Sequence, residues 1–247
     1  MTYDDLNKYP KEVILLCLQL TAIEVLQRMA WDDMELWGLL LTEEREKVLK
    51  KISEMTGEEE HKKAYANSVY WTAIAYRKYD SEKTAEKKIR EARELSEKCF
   101  VADSPQMQAI EAVYPGMTAQ RWTPRKDKEK PKLVTQLLTG ITTAIVCSNS
   151  AGTMKDMRQK GYEAFGEEDI EGQVAMAKRQ IGECKKVKAK IERSKTDTHG
   201  LQVEELIYEA EVLLAGIEGT DTPPMVTKGM LDEMLKTIED EREGREG

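Results

Sequence analysis

Apolar residues recur along this chain three and four positions apart, and no convincing run alternates with period two. That spacing predicts helices and no sheet. Pro10 fits a first helical position. The stretch after it, KEVILLCLQLTAIEVLQRMA, sets Val13, Leu16, Leu20, Ile23 and Leu26 on one face of a core helix. WDDMELWGLLLTEEREKVLKKISEM reads as two short helices, with Thr42 capping the second and Glu43 and Glu44 in its first turn. In HKKAYANSVYWTAIAYRKY the set Tyr65, Val69, Ala73 and Tyr76 falls at helical spacing and reads as core. Ser81 is placed to cap EKTAEKKIREARELSEKCF. Ser104-Pro105 opens QMQAIEAVY, which Pro115-Gly116 is expected to end.

The pattern breaks in MTAQRWTPRKDKEKPK, which holds Pro124 and Pro131 and six cations against two anions. This predicts a basic linker over 117–131, between an N-terminal helical domain (1–116) and a C-terminal one (132–247) with an acidic tail. Helical period resumes after Pro131 to about Lys160, returns in EEDIEGQVAMAKRQIGECKKVKAKIERSK, and returns again in GLQVEELIYEAEVLLAGIEG, where Gly219 suits a stop. TDTPPMVTKG reads as a turn and MLDEMLKTIEDEREGREG as a short acidic helix and tail. The prediction is an all-α protein of two helical domains and about ten helices, with no repeat of fixed period.

One helix has an unusual face. After Lys132, Leu137, Ile141 and Ile145 share one side, while Gly140, Ala144, Ser148 and Ala151 share another. A stripe of small residues admits a neighbouring backbone closely. Close packing would justify Gly140, which costs roughly 1 kcal/mol of helix propensity. Met154 and Met157 then resume a large apolar face.

Composition refines this picture. A chain of 247 residues is long enough to bury a real core. With Phe twice and Met twelve times, that core must lean on aliphatic residues and adaptable methionine. The net charge of −8 gives no global attraction to nucleic acid or an anionic membrane, so any such contact falls to a local patch. The best patch is Arg121, Trp122, Arg125, Lys126, Lys128, Lys130 and Lys132, where cations beside an aromatic suit lipid or nucleic-acid phosphates. A second cluster, Lys83, Lys87, Lys88, Arg90 and Arg93, interleaves with Glu86, Glu91 and Glu94 and so predicts ion pairs within one helix. Cys17, Cys99, Cys147 and Cys184 lie far apart and read as free thiols of a reducing compartment. With His61 and His199 they leave too few ligands for a structural zinc site. The acidic N-terminus does not resemble a secretory signal, and no run reaches the roughly 18–20 apolar residues of a membrane span. A soluble or peripheral protein is expected.

Two stretches hold candidate metal ligands. Asp32, Asp33 and Glu35 resemble the DDxxE cluster with which isoprenoid synthases hold Mg²⁺ and a diphosphate, but no second cluster accompanies them. Glu58 and His61 have the spacing of di-iron bundles, which need a second copy that this chain lacks. An acidic helix start explains the first stretch, and a solvated helix start the second. No GxSxG, P-loop or GxGxxG motif occurs.

Ser148, Ala151, Met154 and Met157, within SNSAGTMKDM, resemble the Ser/Thr-x-x-Ala-x-x-Met-x-x-Met pattern of influenza-type (orthomyxovirus) matrix proteins. Weaker likenesses run in the same order: Trp37 followed by Leu41-Thr42, HKKAYANS, EKKIREAR, and AIEAVYPG around Tyr114. The chain departs from that family in its acidic charge, in lacking a Cys/Cys/His/His cluster, and in a shorter stretch between Tyr114 and Ser148. The resemblance implies an all-helical, non-enzymatic structural protein of the virion. Such a protein self-associates beneath the envelope and meets an anionic membrane surface and ribonucleoprotein. The alternatives are an all-helical binding module or scaffold subunit, viral or cellular, and a Mg²⁺-dependent enzyme using Asp32, Asp33 and Glu35. No cofactor, resident metal or small-molecule substrate is expected, and the expected location is intracellular.

Overall fold

A computed structural model describes residues 8–30, 35–118, 127–198 and 200–220. The described residues form eight helices and no strand, so the chain is all-α. They are α1 (Lys11–Ala30), α2 (Glu35–Thr56), α3 (Glu59–Lys78), α4 (Glu82–Cys99), α5 (Pro105–Thr118), α6 (Lys132–Gln159), α7 (Glu167–Ser194) and α8 (Val203–Glu218). The count differs from about ten for two reasons. The two short helices expected around Thr42 are the single helix α2, and the acidic helix and tail expected near the C-terminus lie outside the described residues.

Two helix ends depart from their sequence signals. Thr42 caps nothing; it lies inside α2, where its hydroxyl donates to the Gly38 carbonyl at 2.7 Å and accepts from Gln27 at 3.2 Å. Both Gly38 and Thr42 are buried, and packing carries the helix through them. Pro115 does not end α5. The helix continues to Thr118, because the following turn delivers Met117 into a small apolar cluster with Ile110 and Ile89. Other signals hold. Ser104 accepts the Met107 amide at 3.3 Å, and Gly219 turns the chain out of α8 at φ +70°. The end of α6 is closed by Gly161 at φ +85° and a Tyr162 amide bonded to the Met157 carbonyl at 3.0 Å.

Helix α6 is the centre. It packs on α1, α2, α7 and α8, and its buried residues occupy several sides, from Val134 and Leu137 through Ile141, Ala144 and Ser148 to Met157. Leu137, Leu138, Ala144, Ser148 and Ala151 are fully enclosed. One apolar cluster joins Val13, Ile23 and Trp37 to Leu137, Ile181 and Leu206. A second, at the turn between α6 and α7, gathers Ile14, Ala151, Met154, Met157, Phe165 and Ile170. The packing therefore crosses the boundary expected at 117–131. Trp37 of α2 donates to Thr142 of α6 at 2.9 Å, with both residues buried.

Helices α3, α4 and α5 form a lateral arm, joined to the centre mainly through α2. Its own cluster is small: Ala73, Ala85, Ile89, Ile110 and Met117. The buried residues of α3 and α4 are mostly small, including Ser68, Ala73, Ala92 and Ser96.

Candidate functional site

The small-residue stripe proves to be a packing device. A Cβ built on Gly140 would lie 2.6 Å from the Cys184 sulfur of α7, which itself approaches the Leu137 carbonyl at 3.7 Å. Gly140, Ala144, Ser148 and Ala151 are all buried. Met154 and Met157 are buried too, so the whole SNSAGTMKDM motif lies within a core helix. All four cysteines are free thiols, and burial pushes the Cys147 and Cys184 thiols up to about 11. They remain protonated at neutral pH and act as small apolar groups.

The expected phosphate patch is only partly in view. Arg121, Trp122, Arg125 and Lys126 lie outside the described residues. Lys128 and Lys130 both have partners in the protein itself, Lys130 half-buried and Lys128 at the surface. The Lys128 ammonium stands 4.4 Å from the Tyr79 ring centre and 3.6 Å from Glu35. Lys130 reaches Glu43 at 2.5 Å and the Tyr76 hydroxyl at 3.3 Å. Lys132 is exposed. The segment 127–130 is thus a strap across the α3–α4 corner. Its Lys128 amide bonds the Asp80 carbonyl at 3.2 Å, and Asp80 takes the left-handed conformation at φ +59°. Asp127 accepts the Lys83 amide at 3.2 Å and so supplies the cap of α4. Ser81, expected in that role, donates instead to the Lys128 carbonyl at 3.3 Å.

The strap closes a polar network between α2, α3 and α4. Tyr76 donates to Glu43, the carboxylate that also holds Lys130. Lys88 bridges Glu46 at 2.6 Å and Glu91 at 3.1 Å. Tyr65 donates to Glu91 at 3.4 Å. Burial, then the Glu91 charge, pushes the Tyr65 phenol up to about 12. Burial and the Glu43 bond raise Tyr76 further. For Lys88, burial works against the charged form but Glu46 and Glu91 outweigh it, leaving its value raised. The second basic cluster is paired as its spacing predicts, in Arg90–Glu86 (2.8 Å) and Arg93–Glu97 (3.5 Å). Arg93 also reaches Glu111 of α5 at 2.7 Å.

The candidate metal ligands do not assemble. Asp32, Asp33 and His199 lie outside the described residues, and Glu35 faces Lys128. Glu58 and His61 approach to 3.4 Å, but the same ring nitrogen of His61 meets the Thr56 hydroxyl at 2.8 Å, and Glu58 accepts from Tyr9. Among the described residues no group of three His, Cys, Asp or Glu side chains is gathered closely enough to hold a metal ion. None of the described helices is long and apolar enough to cross a membrane.

What the geometry does offer is an apolar cleft of about 460 Å³ where α1, α2, α6 and α8 meet. Its walls are Ala22, Val25 and Leu26 of α1, Trp37 of α2, Ile145 of α6, and Leu206 and Leu213 of α8. Val25 is 51% exposed. The rim is polar and acidic, with Asn149, Gln202, Glu205 and Glu209. Sequence reasoning missed this site because four elements build it. Its one local trace is in α1, where Ala22, Val25 and Leu26 recur at helical spacing. On the arm, Trp71 of α3 is 41% exposed, with Arg77 and Lys78 exposed in the last turn of the same helix. No protein-family model matches the chain, and neither a curated protein nor a solved structure shows significant similarity to it.

Proposed function

We propose that this chain is a non-enzymatic assembly protein that associates with copies of itself, the arm of one copy entering the α1–α2–α6–α8 cleft of the next. The observation that carries this reading is the cleft: apolar walls, an exposed Val25, and a rim bearing Glu205 and Glu209. Trp71, 41% exposed on α3, supplies the apolar anchor of the second copy. Tryptophan is among the residue types that most often anchor protein interfaces.

The two surfaces differ, so the contact is head-to-tail and leaves a free cleft and a free arm at the ends. Repetition then builds a chain or layer, in which many weak contacts add up to stable attachment. This is the behaviour the matrix-type resemblance implies. Attachment of the layer to lipid or ribonucleoprotein phosphates falls in this reading to Arg121, Trp122, Arg125, Lys126 and Lys132, because Lys128 and Lys130 have internal partners. The test is molecular mass across concentration. The expected result is mass rising with concentration, and Trp71→Ala holding the protein at the mass of one chain. A wild type that stays at one chain mass at the highest attainable concentration overturns the proposal.

A further inference from the structure

Helix α8 carries carboxylates on two sides, and the two sides differ in their partners. Glu204, Glu211 and Glu218 meet Lys188, Lys185 and Lys178 of α7. Glu205 and Glu209 instead line the rim of the α1–α2–α6–α8 cleft. Both are exposed, and neither has a cation partner among the described residues. The first turn of a helix favours a carboxylate, which accounts for Glu205. Glu209 lies beyond that turn and four residues from Glu205, a spacing at which like charges repel. The rim therefore holds negative charge that α8 does not need for its own stability.

The other polar groups of the rim add to this character. The Gln202 side-chain amide donates to the Glu205 carboxylate, and the Asn149 side-chain amide donates to the Ile145 carbonyl at 3.0 Å. With those donors committed, the rim presents mainly acceptor oxygens. An ammonium group is the complement of such a rim, with three donors, no acceptor and a positive charge.

Beside the rim the cleft is apolar. Val25 is exposed and Leu213 partly so, and Leu26, Trp37 and Leu206 are buried behind them. The Trp37 ring nitrogen is already bonded to Thr142, so Trp37 adds only carbon to this wall. The volume of about 460 Å³ lies within the range of small-molecule sites, roughly 300–1,000 Å³.

We propose that the cleft binds small amphipathic amines. An apolar ring or short chain lies against Val25, Leu206 and Leu213, and its ammonium is held by Glu205 and Glu209. The site itself does not depend on self-association. One consequence rests on the arm-to-cleft contact proposed above: a bound amine takes the place of Trp71 and keeps the arm of a second copy out.

Titration of 2-phenylethylamine into the Trp71→Ala variant, whose cleft is intact, tests the site through the amide chemical shifts of α1 and α8. At low salt the amine should bind about fivefold or more tightly than phenylacetate, which has the same ring and the opposite charge. The double variant Glu205→Gln/Glu209→Gln changes two exposed positions and should bring the two affinities together. Val25→Arg should abolish amine binding. The proposal is overturned by no saturable binding up to about 10 mM amine, by equal affinity for amine and phenylacetate, or by a preference that survives the double variant. In the wild type, saturating amine should return an associated protein to the mass of one chain. Amine that binds while that mass stays unchanged overturns the competition and the placing of the arm in this cleft. A wild type that never associates overturns self-association and leaves the amine site standing.

Discussion

The body around α6 and the arm of α3, α4 and α5 are both helical, yet different forces hold them. Around α6 the chain encloses Leu137, Leu138, Ile141, Met154 and Met157, and small residues bring α7 within reach of Gly140. The arm has a smaller apolar cluster and relies on charged and phenolic groups: Glu43 with Tyr76 and Lys130, and Glu46 with Lys88 and Glu91. Apolar contact does not titrate and is weakly sensitive to salt, whereas charge pairs are lost with either partner. The body should therefore resist changes of pH and salt to which the arm yields, although the two share one chain and one type of secondary structure.

Substitutions can break this contrast, beginning with the largest effect. Leu138→Ala removes a fully enclosed side chain from α6, and should cost about 2–5 kcal/mol and lower the melting of the whole molecule. A loss confined to one region, seen by amide exchange, would mean that α6 is not the common centre. Ala151→Leu overpacks the enclosed stripe and should cost about 1–3 kcal/mol. Ser148→Ala should leave the melting temperature unchanged or raise it, since the Ser148 hydroxyl is buried without a protein partner among the described residues. If the two variants behave alike, small size is not what the stripe supplies.

The arm should respond to its polar partners. Asp127→Ala removes the cap of α4 and should cost about 1 kcal/mol, with faster exchange confined to the first turn of α4. Equal loss in α6 would show that the strap serves the body.

Alkaline titration sharpens the contrast further. The folded protein holds Tyr65 protonated up to about 12, against about 10 for a free phenol, and holds Lys88 charged above its ordinary value. Each raised value means stability that is fully present below the ordinary value and lost as pH climbs through the folded one. Between about pH 10 and 12 the arm should loosen first, read as phenolate absorbance together with faster exchange in α3 and α4. Simultaneous loss of α6 protection would contradict separate regimes. The smallest effect belongs to exposed pairs. Glu86→Ala removes one partner of Arg90, which keeps the Tyr114 hydroxyl, and should leave the melting temperature essentially unchanged.

Much of this fold was legible in the sequence, and the reasons are local. The 3.6-residue period marks α1, α6 and α7, and the signals at Ser104 and Gly219 rest on capping chemistry within a few residues. The stripe at Gly140, Ala144, Ser148 and Ala151 was visible because its spacing lies within one helix. What escaped depends on distant partners. Nothing near Asp127 announces that it caps a helix beginning at Glu82, or near Ser81 that its hydroxyl turns away to Lys128. Lys128 and Lys130 looked like part of a solvent-facing basic patch until Glu35, Glu43 and two tyrosine rings were brought beside them. The cleft shared by Val25, Trp37, Ile145 and Leu206 exists only once four helices are assembled.

Mixing two blocked variants tests self-association by arm and cleft most directly. Val25→Arg sets a cation at the mouth of the cleft, at a position already 51% exposed, and Trp71→Ala removes the anchor from the arm. Each variant alone should remain at the mass of one chain. Mixed in equal amounts they should form a dimer and stop there, because one supplies an intact arm and the other an intact cleft. A mixture that stays at one chain mass while the wild type associates, or either variant associating alone as the wild type does, would contradict the arm-to-cleft contact.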